Sequence, residues 1–81
     1  MGREDGDGGP VVYEIRVAER VSDRWSAWFG GMALDPLPDG GTVMRGSVVD
    51  QAQLHGILDR IRDMHLTLLL VRRVRTRHPR S

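Results

Sequence analysis

From Val11 to Arg20 apolar and polar residues alternate, with Tyr13, Ile15 and Val17 on one side and Glu14 and Arg16 on the other. A strand with one covered face requires this period of two, so the first element is a strand. Ser22 then stands where it can cap a helix. Asp23 sits in the first turn, where the helix dipole favours a carboxylate, and Gly30-Gly31 supplies a left-handed exit. Trp25, Trp28 and Phe29 fall at i, i+3 and i+4 between these signals, a spacing that gathers three rings on one side of an α-helix. Isolated helices shorter than about 12 residues are marginal in water. Burial of the three rings is therefore expected to hold this short helix, with each indole N–H finding an acceptor.

The pattern next predicts an edge strand over Met32 to Leu37, stopped by Pro36 and Pro38, and a turn at "PDGGT". The return strand, Thr42 to Val49, carries Met44, Gly46 and Val48 on one side and Val43, Arg45 and Ser47 on the other. "VDQAQLHGILDRIRDMH" is the clearest local signal. Asp50 is the N-cap, Gln53 completes a capping-box-like pair, and Val49 can staple onto Leu54. Leu54, Ile57, Leu58 and Ile61 form the apolar stripe of this helix, opposite a charged face of Asp59, Arg60, Arg62 and Asp63. After His65, "LTLLLVRRV" reads as a last strand ending near Val74.

This order predicts an α+β fold of the ferredoxin-like split βαββαβ kind. Its antiparallel four-stranded sheet carries a short first helix and a longer second helix on one face. The expected structural core includes Trp25, Trp28, Phe29, Leu54, Leu58 and Ile61. The uncovered face is expected to show Glu14, Arg16, Val43, Arg45 and some of Leu68, Leu70 and Arg72.

Eighty-one residues bound the chain to one domain. The pattern divides it into a flexible segment over 1–10, an α+β domain over 11–74 and a basic tail over 75–81. Absence of cysteine excludes disulfides, thiolate zinc sites, iron–sulfur clusters and thiol nucleophiles. The longest apolar run, Leu68 to Val71, is far too short for a membrane span, and a cytoplasmic location is expected. Acidic residues open the chain and arginines close it. Every basic side chain is arginine, with no lysine and no asparagine, as codon bias in a GC-rich genome would produce.

"YEIRV", "RWSAWFGGM" and "GTVMRGSVVDQAQLHGILDRIRDMHLTLLLVRRV" together resemble a family of small uncharacterised bacterial proteins common in GC-rich genomes, over roughly Tyr13 to Val74. The resemblance rests on a Trp-rich short helix followed by a "VDQAxLHG" helix start, and it implies a compact single domain with no catalytic residue to carry over. The chain departs from that pattern in two places. His65, Leu66 and Thr67 stand where Gly followed by Leu-Pro is expected, so His65 falls at a left-handed position that costs a non-glycine residue energy. Leu70 stands in place of an expected Ser.

Candidate chemistry is sparse. Asp50 and His55 are the one acid–imidazole pairing close in sequence, but Asp50 serves as a cap and His55 lies about 100° off the apolar stripe. No spacing supplies further metal ligands, and His65 and His78 are weaker candidates. Gly30-Gly31 and Gly40-Gly41 lack the residues that phosphate-cradling loops require. Hence no enzyme activity, metal or cofactor is expected. What remains is association: a protein-binding or regulatory module, self-associating as a homodimer through its sheet or sheet edge, with Arg16, Val43, Arg45, Leu70 and Arg72 as interaction residues. Gly56, in a helix interior away from the stripe, fits either close approach by another backbone or, as the favoured reading, a surface position under no such demand. Two alternatives stay open: a small-molecule sensor resembling ACT regulatory domains, with ligand at the Arg20–Arg24 loop, and a nucleic-acid accessory using the arginine tail.

Overall fold

The structure, a computed structural model, describes residues 11–74. The expected flexible segment 1–10 and basic tail 75–81 lie outside the described residues. Strand β1 (Val11–Val17) leads through a 3-10 helix (Asp23–Phe29) to β2 (Ala33–Pro36) and β3 (Thr42–Val48). Helix α1 (Gln51–Asp63) and strand β4 (Leu68–Val74) complete the chain. The fold is α+β, with one four-stranded sheet in the order β2-β3-β1-β4 and every neighbouring pair antiparallel.

One face of the sheet builds the core. Ile15 and Val17 from β1, Leu34 from β2, and Met44 and Val48 from β3 pack with Phe29, Met32, Leu54, Ile57 and Ile61 in one buried cluster, against which Tyr13, Leu58 and Val71 lie partly buried. The alternation in β1 and β3 is what directs these side chains to a common layer. The α1 contacts in this layer favour β3 and the 3-10 helix, while β2 meets the 3-10 helix. Strand β4 is left leaning almost wholly on β1.

The β2–β3 connection is fixed both from within and from outside. Asp39 Oδ1 accepts from the Gly41 amide at 3.0 Å, and Arg20 donates to the carbonyls of Gly40 and Leu37 at 3.3 and 3.1 Å. Fully buried Thr42 accepts from the Val21 amide at 2.8 Å and donates to the Glu19 carbonyl at 2.9 Å. A Cβ on Gly41 would stand 2.6 Å from the Val17 carbonyl oxygen, so the strands meet there only because that residue has no side chain.

The expectation for the tryptophans is corrected. Phe29 is fully buried, but Trp25 and Trp28 are 41% and 40% exposed. Geometry explains the division. An α-helix would bring i, i+3 and i+4 together, whereas a 3-10 helix turns once in three residues, placing Trp25 and Trp28 on the same side and rotating Phe29 away by about 120°. The carbonyl side of Trp28 is held by Arg60, which donates to its backbone oxygen at 2.9 Å and lays its guanidinium 4.8 Å from the ring centre.

Helix α1 starts as its sequence indicates, Asp50 accepting from the Gln53 amide at 2.8 Å. The Gln53 side chain reaches back to the Val49 amide, at 2.8 Å. Val49 itself, expected to staple onto Leu54, is 65% exposed: a chain entering at an extended Asp50 carries it outward. At the other end the His65 amide donates to Arg62 and the Leu66 amide to Ile61, while His65 adopts φ +58°. This is the left-handed closure that glycine usually serves, here made by histidine.

Candidate functional site

The strand registers build a grid of side chains on the face of the sheet away from the core. One row crosses all four strands as Asp35, Val43, Arg16 and Leu70. The next runs Ala33, Arg45, Glu14 and Arg72. Glu14 is thus in the middle of the second row, directly between two arginines, with Arg16 two residues along its own strand.

The three guanidiniums close over that one carboxylate. Arg16 Nε donates to Glu14 Oε2 at 2.9 Å, while Arg45 Nε and Arg72 Nη2 donate to Oε1 at 3.4 and 3.2 Å. The Glu14 side chain is 1% exposed, against 43%, 52% and 57% for Arg16, Arg45 and Arg72. Burial pushes the Glu14 carboxyl up, but the hydrogen bonds and charges of Arg16 and Arg72 outweigh it and hold it below its ordinary value.

Two sequence expectations about this face are corrected. Glu14 is on it but is roofed by the arginines instead of being displayed. Val43, named as an interaction residue, is 4% exposed, because a central strand position is covered from both neighbouring strands. Arg16, Arg45 and Arg72 are brought together, with half-buried Leu70 beside Arg16. What the sequence reading missed is their convergence on Glu14. The signal available was a single acid, Glu14, among the candidates expected on this face, the others being basic or apolar.

Elsewhere the candidates divide. In the Arg20–Arg24 loop several polar groups are engaged within the protein: Arg20 donates to the turn carbonyls, the Val21 amide donates to Thr42, and Ser22 Oγ accepts from the Arg24 amide. Asp50 acts as a cap, His55 is exposed, and His78 lies outside the described residues. No group of three or more potential metal ligands occurs among the described residues. None of their helices is long and apolar enough to cross a membrane. Gly56 borders a shallow groove of ≈ 240 Å³ with Trp28, Gly30, Gln53, Ile57 and Arg60, and a Cβ added to it would meet nothing within 4 Å. Nothing inside the described chain therefore requires glycine there.

These features define a small α+β chain that carries an arginine-roofed sheet face. The segment from Val12 to Arg72, which holds Glu14 and all three arginines, matches the model of the family described as a domain of unknown function, DUF8691, and the chain belongs to that family. No curated protein and no solved structure matches it significantly.

Proposed function

We propose that the protein is a non-enzymatic interaction module that self-associates through its sheet, β4 of one copy pairing with β4 of a second. Its framework is the ferredoxin-like split βαβ plan, with the 3-10 helix in the place of the first helix. The sheet order supports this plan: β1 and β2 run parallel with β3 inserted between them, and β3 and β4 run parallel with β1 between them.

The observation that carries self-association is β4 itself. Five of its seven residues, Leu68, Leu69, Leu70, Val71 and Val74, are apolar, and none of the seven is buried. Leu68 and Leu69 are 46% and 59% exposed. Among the described residues the outer edge of β4 has no neighbouring strand, so within them it offers a row of unpaired N–H and C=O groups beside apolar side chains. Antiparallel pairing about a two-fold axis uses the same edge on both copies and is self-complementary. Two four-stranded sheets would then join as one of eight strands. Stacking the two arginine faces on each other would instead oppose like charges, which favours the edge over the face.

Light scattering on the full chain tests this reading. A dimer is expected, converted to a monomer by Leu69→Arg with the circular dichroism spectrum kept. A wild-type monomer at high micromolar concentration, or a dimer indifferent to Leu69→Arg, would overturn it.

A further inference from the structure

One arginine would neutralise Glu14, yet three are placed on it. One carboxylate against three guanidiniums leaves the cluster with a charge of +2 among the described residues. Among the described residues the next acid on the same face is Asp35, across Val43 from Arg16 and about 10 Å away at two strand spacings. The cations repel one another, and among the described residues Glu14 is the one carboxylate paired with them to relieve that repulsion.

The manner of attachment leaves donors free. Arg16 and Arg45 both engage Glu14 through Nε, the nitrogen nearest the backbone, so the two terminal amino groups of each are not used on the carboxylate. Arg72 engages it through one of its two. A buried carboxylate therefore holds three guanidiniums close together by their inner or lateral nitrogens, with their remaining donors on an exposed face.

We propose that Arg16, Arg45 and Arg72 form a binding site for a phosphate monoester dianion, with Glu14 as the residue that positions them. The charge of such a group at pH 7, about −1.5 to −2, matches the surplus on the cluster. Its tetrahedral oxygens accept from several guanidinium forks at once. A nucleic-acid strand fits less well. Each phosphodiester brings a single charge, and single-stranded nucleic acids are held by aromatic platforms, whereas Tyr13, the aromatic residue of β1, packs toward the core. The site is complete within one copy and does not depend on the β4 edge.

Inorganic phosphate is the probe. The full chain, labelled with nitrogen-15, is titrated while the Nε–H signals of the arginines are followed by NMR, with sulfate and a single-stranded oligonucleotide as comparisons. Saturable shifts confined to Arg16, Arg45 and Arg72 are expected. Phosphate affinity should fall about tenfold in Arg45→Gln and in Arg72→Gln, each checked for fold by circular dichroism without phosphate. It should also weaken from pH 7.5 to pH 5.5, as the inorganic phosphate dianion takes up a proton across that range, while sulfate stays a dianion and its affinity stays constant. Absence of saturable shifts in the wild-type chain would overturn the proposal whether or not the variants fold. So would equal phosphate affinity in the Gln variants, or an oligonucleotide binding more tightly than phosphate at equal phosphate concentration.

Discussion

Arg45 and Arg72 come from strands on opposite sides of β1 and donate to the same oxygen of Glu14, at 3.4 and 3.2 Å. A single carboxylate thereby ties β3 and β4 to the central strand across the outer face. Its removal should be felt through both sheet seams. Glu14→Ala leaves three guanidiniums crowded without their anion. Because those groups reach solvent, the loss is expected to be about 1–3 kcal/mol in urea unfolding, less than for a fully buried ion pair. A value indistinguishable from wild type would show that the carboxylate holds nothing together.

The same carboxylate sets an acid limit. The Glu14 carboxyl is held below its ordinary value of 4.5 in the folded chain, as is that of Glu19, which accepts from the hydroxyl and the amide of Thr67. A carboxyl lowered by folding stabilises the chain above the unfolded pKa, and that stabilisation is lost as pH falls through the folded pKa. Unfolding free energy should therefore be level above about pH 5.5 and decline below pH 4.5. Glu14→Gln should make the decline shallower, an outcome read from urea midpoints across that range.

The division between Phe29 and the two tryptophans predicts a large asymmetry in truncation. Phe29→Ala empties a fully buried site and should cost about 3–5 kcal/mol. Trp25→Ala removes a ring that is 41% exposed and should cost about 1 kcal/mol or less. Denaturation of the two variants checks this, and a red-shifted native tryptophan emission gives an independent reading. Equal losses would return the indoles to the core.

His65 closes α1 with φ +58°, where a non-glycine residue is strained by about 1–2 kcal/mol. His65→Gly should remove that strain at the expense of a more flexible unfolded chain, a net gain of about 1 kcal/mol in thermal or urea unfolding. A loss of stability would place a favourable interaction on the imidazole that outweighs its backbone cost.

Local signals in the sequence were sufficient where the determinant is local. The alternation of Tyr13, Ile15 and Val17 and the Asp50 cap are each written within a few residues, and the structure shows both; the left-handed position at His65, also present, was implied by the family resemblance and not by the local sequence. The turn of the first helix was not legible, because i, i+3, i+4 spacing is compatible with either helical period and the choice of 3-10 geometry decides which rings go inside. The Glu14 cluster was half legible. Alternation puts Glu14, Arg16 and Arg45 on one face, but only strand register brings Arg45 and Arg72 to one oxygen from 31 and 58 residues away. Exposure of β4 likewise follows from where α1 and the 3-10 helix lie over the sheet, a tertiary outcome that "LTLLLVRRV" does not encode.

The most direct measurement of self-association is amide hydrogen exchange along β4 at two protein concentrations. If β4 pairs with a second β4, the amides directed away from β1 should be protected at high concentration and lose that protection on dilution, while those bonded to β1 keep theirs. Rapid exchange of the outward amides at every concentration, with the β1-directed amides protected throughout, would contradict pairing at this edge.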